Sequence, residues 1–383
     1  MFESSIIEIS KSALENNLKF LKQRTGPHPK YCSVVKGNAY GHGIAEFVKL
    51  SMDCGVNYFA VYSADEAYQV VKHIKKQPGI YIMGYVEKEA VEWAIEEGIE
   101  FCVFDLQRLE TALKAAKKLK KKAKIHIELE TGMNRTGFDE NGINAAGELI
   151  SGNAGLFDVR GACTHFAGAE SMANNFRVAQ QIGSFYKAML TLGRTGLKPV
   201  YQHMACSAAV MNYPETIANM VRVGIMQYGF WPNDETYIRF TGEKERKSKF
   251  LKRVVTWKSK VMNVKKVKKG NFIGYGTSYL AHHDMTVAFI PVGYAHGYSR
   301  NLSNTGKVLI HGQEAQVAGI VNMNAITVDI THIEGVKKGD EAVLIGTQKN
   351  KTVSVFSFSE MSNQLNYEML TRLPRDIPRL IVD

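Results

Sequence analysis

The sequence predicts two domains, an N-terminal (β/α)8 TIM-type barrel followed by a C-terminal mostly-β domain. The 383 residues exceed the length that one hydrophobic core usually supports. From residue 11 to about residue 230, strand-like and helix-like segments alternate as eight βα units. After about residue 240, short alternating strands replace the helical periodicity. We therefore expect a barrel over residues 1–242 and a β domain over 243–383, with residues 1–10 able to pair with the β domain.

The barrel strands are predicted from short apolar runs that are rich in β-branched residues. Their ranges are 31–35, 58–63, 79–84, 101–105, 125–131, 159–167, 201–206 and 220–228. Amphipathic helices are predicted between them, for example over 64–75, 86–97 and 106–122. A doubly wound open sheet is the alternative architecture, although no G-x-G-x-x-G fingerprint opens the first unit.

The second domain is predicted from alternating apolar runs with turn signals between them. The strand ranges are 254–264, 286–291, 307–311, 315–321, 326–330 and 341–345. Turns are predicted at the segments Lys268–Asn271 and Lys338–Asp340, which combine glycine with polar residues.

Composition excludes several classes of protein. Apolar content of 45% and charged content of 22% are ordinary for a globular domain, and no apolar run approaches the ~20 residues of a membrane span. The N-terminus lacks a signal pattern, so we expect a cytoplasmic protein. Its five cysteines are widely spaced without a CxxC pair, which favours reduced thiols and no metal site. The net charge of +11 lies in clustered lysines without interleaved aromatic residues, which favours solvated surface over a nucleic-acid partner.

Lys36 follows the first predicted strand and precedes a turn that contains Gly37, Gly41 and Gly43. These glycines allow the backbone to approach a ligand closely. A lysine at a strand end can simply extend its amine into solvent. A desolvated amine beside such a turn is also what a Schiff-base lysine requires. Lys36 is therefore the first candidate catalytic residue.

Other polar candidates follow the later strands to the same end of the barrel, where barrel enzymes gather their catalytic groups. They are Glu128 at the end of the fifth strand with Arg135 just after it, His165 at the end of the sixth, Ser207 at the end of the seventh and Arg222 in the eighth. Ordinary alternatives exist: His165 as a core histidine, Arg135 as half of a structural ion pair, and Ser207 as a helix cap. Arg222 is the most informative, because a guanidinium in an apolar strand needs a dedicated acceptor such as a pyridine nitrogen.

Two further features point to a phosphate and to a second catalytic group. The backbone N–H groups of Gly224 and Ile225, together with Ser207, can bind a phosphate. In the second domain, Tyr275 lies between two glycines, a poor arrangement for a strand core. Packing at a strand edge is the alternative interpretation of Tyr275.

Together these residues resemble the alanine racemase family, fold-type III enzymes that use pyridoxal 5'-phosphate. The resemblance covers essentially the whole chain, and its most specific motifs are residues 34–43, the T-G-M-x-R segment 131–135 and the T-H-F-A segment 164–167. It implies a cytoplasmic racemase that interconverts L-alanine and D-alanine and supplies D-alanine for cell-wall synthesis. It also implies a homodimer in which the partner's β domain completes each active site.

The resemblance assigns two catalytic bases, Lys36, which would also bind the cofactor covalently, and Tyr275 of the partner subunit. Two bases of different origin suit racemisation, which removes a proton on one face of a carbanion and delivers one on the other. His165 would orient Tyr275, and Arg222 would meet the pyridine nitrogen.

The resemblance also assigns the binding residues. Arg135 would face the cofactor's phenolic oxygen and the substrate carboxylate, which the backbone of Met323 would also contact. The phosphate would be held by Tyr40, Ser207, Gly224, Ile225 and Tyr367.

The chain departs from the family pattern at a few residues. Glu128 occupies the place of a lysine that is often carbamylated, and can supply a similar negative charge to Arg135. Near the substrate entrance the departures are His296, Ile320, Asn322 and Asn324. A racemase of another or broader amino-acid range, for example serine, is therefore an alternative. A related barrel decarboxylase and a cofactor-binding protein are further alternatives, although Tyr275 in its G-Y-G segment disfavours the decarboxylase.

Overall fold

The structure is a computed structural model that describes residues 3–242, 250–355 and 366–383. The helices of these ranges are α1 (Lys11–Thr25), α2 (Lys36–Tyr40), α3 (Ile44–Asp53), α4 (Ala64–His73), α5 (Lys88–Glu96), α6 (Leu106–Leu119), α7 (Glu140–Ser151), α8 (Asn175–Arg194), α9 (Ser207–Asn212), α10 (Asp234–Thr241) and α11 (Asn366–Thr371). None of these helices is both long and apolar enough to cross a membrane.

The strands begin with β1 (Ser5–Ser10) and continue through β2 (Lys30–Val34), β3 (Tyr58–Val61), β4 (Gly79–Ile82), β5 (Glu100–Val103), β6 (Ala123–Glu128), β7 (Phe157–Cys163), β8 (Tyr201–His203) and β9 (Met220–Val223). The later strands are β10 (Val255–Lys260), β11 (Asn263–Val267), β12 (Met285–Ile290), β13 (Lys307–Ile310), β14 (Gln313–Gln316), β15 (Ile326–Asp329), β16 (Glu341–Gln348), β17 (Lys351–Val353) and β18 (Arg379–Val382).

The described residues form two compact units. The barrel unit consists of Leu14–Gly37 and Val48–Lys252, and the β unit of Met1–Ala13, Asn38–Phe47 and Arg253–Asp383. The predicted domain boundary between residues 242 and 243 falls beside 243–249, which lie outside the described residues.

The barrel unit contains an eight-stranded parallel sheet in the order β8-β7-β6-β5-β4-β3-β2-β9. The two end strands meet just beyond β8, where Arg222 N–H donates to the Ala205 carbonyl at 3.0 Å and pairs with Cys206. Every residue of β3 and β9 is buried, as expected for parallel strands covered on both faces. The (β/α)8 barrel prediction is confirmed, and the doubly wound alternative is wrong because the sheet nearly closes on itself.

Several predicted strands extend too far at their C-terminal ends. The interval 220–228 ends at Val223, 201–206 at His203 and 159–167 at Cys163. The apolar residues beyond these ends no longer pair with a neighbouring strand, so their carbonyl groups accept hydrogen bonds from other donors. Arg222, for example, donates to the carbonyl groups of Thr164 and Met204. Apolar composition alone cannot separate the end of a strand from the buried loop that follows it.

The β unit contains a seven-stranded sheet and a three-stranded sheet. The larger sheet has the order β14-β13-β16-β10-β1-β18 with β17 beside β16, and the smaller has the order β11-β12-β15. β1 pairs antiparallel with β10, where Ile7 faces the fully buried Trp257, and parallel with β18. Strands are present in every predicted interval of the β domain, but 254–264 contains β10 and the start of β11, and 315–321 shares only its first two residues with β14. β17 and β18 were not predicted because they are short and polar or terminal.

All five cysteines are free thiols, and Cys32, Cys102 and Cys163 are buried in the barrel. This agrees with the predicted reduced, packed thiols.

Candidate active site

The turn after β2 has a left-handed backbone. Four successive residues of α2 have positive φ, from Gly37 at 62° to Tyr40 at 51°. Outside glycine this conformation costs roughly 1–2 kcal/mol per residue. The turn is closed by the N–H of Gly43, which donates to the Asn38 carbonyl at 3.0 Å. Backbone strain of this kind is typical of functional sites.

The later part of this turn packs against the C-terminal segment of the β unit. Gly41 has a φ of 82°, and a Cβ atom at this residue would overlap the carbonyl oxygen of Leu370. The Arg379 guanidinium donates to the Gly41 carbonyl at 2.9 Å. Glycine is therefore required at residue 41 both by its φ and by the close approach of another backbone.

The first part of the turn is fixed to the mouth of the barrel, the C-terminal ends of β2–β9. β2 ends at Val34, whose carbonyl accepts hydrogen bonds from the Tyr228 hydroxyl at 2.9 Å and the Gln227 amide at 3.0 Å. The prediction that Lys36 lies at the end of the first strand is therefore wrong: the strand ends at Val34, and Lys36 is the first residue of α2. The buried Glu66 carboxylate accepts from the N–H of Gly37 at 2.7 Å.

The Lys36 side chain is accessible at this mouth, and its surroundings lower the pKa of its amine. Enclosure by the barrel walls is the main cause, followed by the positive charge of Arg135; Arg222 acts in the same direction and Glu66 opposes both. A lysine with a lowered pKa is uncharged at a lower pH than usual, and the uncharged amine is the nucleophile that attacks a carbonyl. Lys36 therefore combines access with reactivity.

Arg222 is buried, and most of its donors are already committed. One terminal nitrogen, Nη1, donates to the ring Nδ1 of His203 and to the His203 carbonyl, the latter at 2.6 Å. The other, Nη2, donates to the Thr164 carbonyl at 2.6 Å and to the Met204 carbonyl at 3.3 Å. A guanidinium has five N–H groups. Among the described residues, the Nε–H of Arg222 has no acceptor, so this group remains for a ligand.

His165 is half-buried next to the same cations. Burial, followed by the charges of Arg222, Arg135 and Lys36, lowers the pKa of His165 to about 3. The histidine is therefore neutral at physiological pH. Its backbone carbonyl accepts from Gln181 at 3.0 Å, which fixes this segment.

Arg135 Nη2 lies 4.0 Å from Glu128 Oε1, and the Arg135 side chain is 56% exposed. An exposed ion pair of this length contributes about 0–1 kcal/mol. Glu128 also accepts a hydrogen bond from Thr136 at 2.8 Å. The carboxylate thus has a firmer partner than Arg135, and the Arg135 guanidinium is free to reorient toward a ligand.

Ser207 and Gly224 are brought together by the meeting of the two end strands. The Gly224 N–H donates to the Ser207 hydroxyl oxygen at 2.9 Å, and Ile225 follows directly. The hydroxyl keeps its own hydrogen to donate to a ligand. The helix-cap interpretation of Ser207 is wrong: Cys206 precedes α9, and Ser207 is its first residue.

The remaining predicted site residues belong to the β unit. Tyr275 lies in an exposed loop between two glycines with positive φ and is 72% exposed. Met323 is 56% exposed, and its carbonyl accepts from the N–H of Ala295 at 3.0 Å. Tyr40 ends α2, and Tyr367 lies in α11 with its side chain outside the described residues.

Comparison with known proteins gives the family. The profile described as "Alanine racemase, N-terminal domain" matches residues 9–232, and "Alanine racemase, C-terminal domain" matches residues 254–381. The chain belongs to the alanine racemase family. An alanine racemase of Leptospira interrogans is 31% identical over 382 residues, covering 99% of this chain and 96% of the relative.

Solved alanine racemases share the fold. The enzyme of Clostridium difficile 630 has a TM-score of 0.89 at 31% identity, covering 99% of this chain and 95% of that one. The alanine racemase of Streptomyces lavendulae has a TM-score of 0.90 at 26% identity, covering 100% and 98%. The predicted enzyme class, an amino-acid racemase, is confirmed by these relatives.

Several polar residues of this racemase's barrel were missed by sequence reasoning. Glu66 was not singled out among the residues of the predicted helix 64–75, and Gln227 fell within the predicted strand 220–228. His126 lies between Ile125 and Ile127 inside β6, His203 ends β8 and Glu100 begins β5. Polar residues within an otherwise apolar strand were the available signal, because a buried polar group needs a partner.

Glu66→Gln is expected to weaken the turn that carries Lys36. The Glu66 carboxylate accepts from the N–H groups of Gly37 and Tyr62, at 2.7 and 2.9 Å. An amide can present only one acceptor oxygen, so one N–H would face an N–H₂ group at a cost of about 1–3 kcal/mol. We expect a free energy of unfolding lower by about that amount in denaturant titration, together with slower turnover.

Asp65→Asn is the matched control for this change. Asp65 is the exposed neighbour of Glu66, and within the described part of the chain its carboxylate accepts a hydrogen bond only from the nearby Ser63 hydroxyl. Equal stability and turnover in the two variants would show that the Glu66 contacts do not hold the turn.

Proposed function

We propose that this chain is a pyridoxal-phosphate-dependent alanine racemase that works as a homodimer. The observation that carries the proposal is the accessible amine of Lys36 at the barrel mouth, with its pKa lowered beside Arg135 and Arg222. Membership of the family supports the cofactor and the dimer. In this role the enzyme would act in the cytoplasm and supply D-alanine for cell-wall synthesis.

The chemistry of the donor groups fits this cofactor. The guanidinium groups of Arg135 and Arg222 suit an anionic ligand carrying a phosphate and a phenolic oxygen. The Nε–H of Arg222 suits a neutral pyridine nitrogen, because a guanidinium offers donors only. Ser207, Gly224 and Ile225 would hold the phosphate, and Tyr40 and Tyr367 would join them. When bound, the cofactor acts as an electron sink for the α-carbon of the amino acid.

The two bases would act from different subunits. Lys36 would move the α-proton on one face, and Tyr275 of the partner subunit on the other. The exposure of Tyr275 within its own chain supports this arrangement, because a catalytic tyrosine needs an enclosed site around it. A neutral His165 would accept or donate a hydrogen bond at the tyrosine hydroxyl without adding charge. Arg135 and the backbone of Met323 would orient the substrate carboxylate.

Racemisation of a broader range of amino acids is the second candidate function. It is favoured because residues that depart from the family pattern lie close together. The segments 293–297 and 322–324 pack together in the β unit, where Tyr294 N–H donates to the Asn322 carbonyl at 3.0 Å. His296 and Asn324 lie on these same segments. His296 Nδ1 already accepts from the Gly293 N–H at 3.2 Å. The polar side chain of Asn324 suits a substrate with a hydroxyl group, such as serine, better than an apolar residue would. The decarboxylase and binding-protein alternatives receive no support from the family.

The test is an assay of the purified protein, loaded with pyridoxal phosphate, against a panel of L-amino acids. Chiral chromatography would measure the D-enantiomer formed from each. We expect the highest kcat/KM for L-alanine and a measurable value for L-serine. Formation of carbon dioxide or an amine in place of the enantiomer, or no turnover of any amino acid, would overturn the proposal.

A further inference from the structure

A line of buried polar side chains crosses the core of the barrel from Arg222 to Glu100. Arg222 Nη1 contacts His203 Nδ1, His203 Nε2 lies 2.8 Å from His126 Nδ1, and His126 Nε2 lies 2.7 Å from Glu100 Oε2. All four side chains are at least nine-tenths buried. The line joins β9, β8, β6 and β5 beneath the mouth of the barrel.

The direction of every hydrogen bond in this line follows from the chemistry of its ends. A guanidinium only donates, so the Nδ1 atom of His203 must accept and its proton must be on Nε2. That proton is donated to His126 Nδ1, which places the His126 proton on Nε2 as well. The His126 proton is then donated to Glu100, which accepts as a carboxylate.

Burial supports one proton on each ring. It lowers the pKa of both His126 and His203, and the charge of Arg222 acts in the same direction on both rings; at His126 the hydrogen bond and charge of Glu100 oppose burial without outweighing it. A neutral imidazole has one donor nitrogen and one acceptor nitrogen. When one nitrogen of a ring accepts, the other must donate, so the direction of one hydrogen bond determines the direction of the next. The line is therefore a directed chain of two neutral histidines between a fixed cation and a fixed anion.

Glu100 is held as an anion at its end of the line. Burial would raise the pKa of Glu100, but hydrogen bonds from His126 and Tyr58 and the charge of Arg160 outweigh it, and the pKa is lowered. The Tyr58 hydroxyl donates to Glu100 Oε2 at 2.5 Å, and Arg160 Nε lies 3.5 Å from Glu100 Oε1. The carboxylate can therefore accept from His126 but cannot donate to it.

We propose that Glu100 is a positioning residue that acts through His126 and His203 to set the orientation of Arg222. By fixing both tautomers, the carboxylate keeps an acceptor facing Arg222 Nη1, so that Nε–H remains the donor presented to the ligand. Without Glu100, His126 can move its proton to Nδ1. His203 would then carry its proton on Nδ1, where it would oppose an N–H of Arg222. The role of the Nε–H rests on the proposed function, whereas the tautomers do not.

The first test reads the protons directly. Neutron diffraction from crystals of the deuterated holoenzyme would show deuterium on Nε2 of His126 and of His203, and none on Glu100. Deuterium on Nδ1 of either ring, or on both nitrogens of one ring, would overturn the proposal. This result does not depend on which amino acid the enzyme racemises.

The second test removes the acceptor. Glu100→Leu is expected to lower kcat about ten- to a hundredfold, the range that corresponds to leaving a buried donor unpaired. We expect little change in KM and full cofactor content. Glu100→Gln should recover much of this loss, because its amide oxygen can accept the same His126 proton. Equal kcat values for the Gln and Leu variants would overturn the directional role.

Asp158→Asn is the matched control. Asp158 lies 3.9 Å from Arg160 but makes no contact with either histidine among the described residues. We expect an unchanged kcat and unchanged tautomers in this variant. If Glu100→Leu does not fold, the Gln variant and the neutron result still decide the proposal. If the wild-type protein racemises no amino acid, the proposed function fails while the tautomer prediction remains testable.

Discussion

Lys36→Ala is expected to abolish racemisation and to leave the protein without covalently bound cofactor. The variant would lose both the amine proposed to bind the cofactor and one of the two proposed bases. Loss of a general base alone typically costs about 10²–10⁴ in rate, so the combined loss should reach at least the upper end of this range. Racemisation of L-alanine would be measured by chiral chromatography. Cofactor attachment would be measured by borohydride reduction and peptide mass spectrometry.

Lys30→Ala is the control for this variant. Lys30 begins β2, the same strand that leads to Lys36, but its amine hydrogen-bonds to Asn57 at 2.8 Å at the opposite end of the barrel. We expect wild-type cofactor content and near wild-type turnover in this control. Recovery of the reduced cofactor on a wild-type peptide that lacks Lys36 would show that another lysine is used.

Tyr275→Phe is expected to reduce racemisation by about 10²–10⁴ while the cofactor remains bound. The substitution removes only the hydroxyl group, which would be the proton carrier on the face opposite Lys36. Tyr279→Phe is the control from the same loop, because Tyr279 packs against the buried Ile273 cluster and its ring contacts survive the change. Equal activities of the two variants would show that the Tyr275 hydroxyl takes no part in the catalytic step.

Mixing the Lys36→Ala and Tyr275→Phe proteins tests whether the second base comes from the partner subunit. A mixed dimer holds one site with both changes and one site with neither. Activity above that of either parent should therefore appear after subunit exchange. Failure to regain activity in heterodimers of proven composition would contradict a shared site.

Much of the barrel could be predicted because its signals are local. Parallel strands buried on both faces are continuous apolar runs, such as Tyr58–Val61, and amphipathic helices alternate with them. Strand ends could not be predicted. The apolar residues after Val223 and Cys163 are as hydrophobic as the strands themselves, but their backbone groups bond elsewhere.

The site residues that lie at or after the C-terminal ends of barrel strands could be predicted from the sequence, because catalytic groups of barrel enzymes gather there. Lys36, Arg135, His165, Ser207 and Arg222 were identified from their places at or after strand ends, and the pKa shifts of Lys36 and His165 show that several of them influence one another. Glu66 could not be identified, because an acidic residue in the first turn of a helix is ordinarily solvated. Only the tertiary structure turns its carboxylate toward the N–H of Gly37.

The sequence by itself determined the fold class, the two-domain order and the resemblance that the family profiles confirm, because these depend on periodicity and on motifs of neighbouring residues. The tertiary structure alone decided which donors are committed. Four N–H groups of Arg222 are taken by acceptors from two other segments of the chain. The protons of His126 and His203 are likewise fixed by partners 19 to 77 residues away. Such assignments require the positions of all the atoms around a buried group, which no local pattern contains.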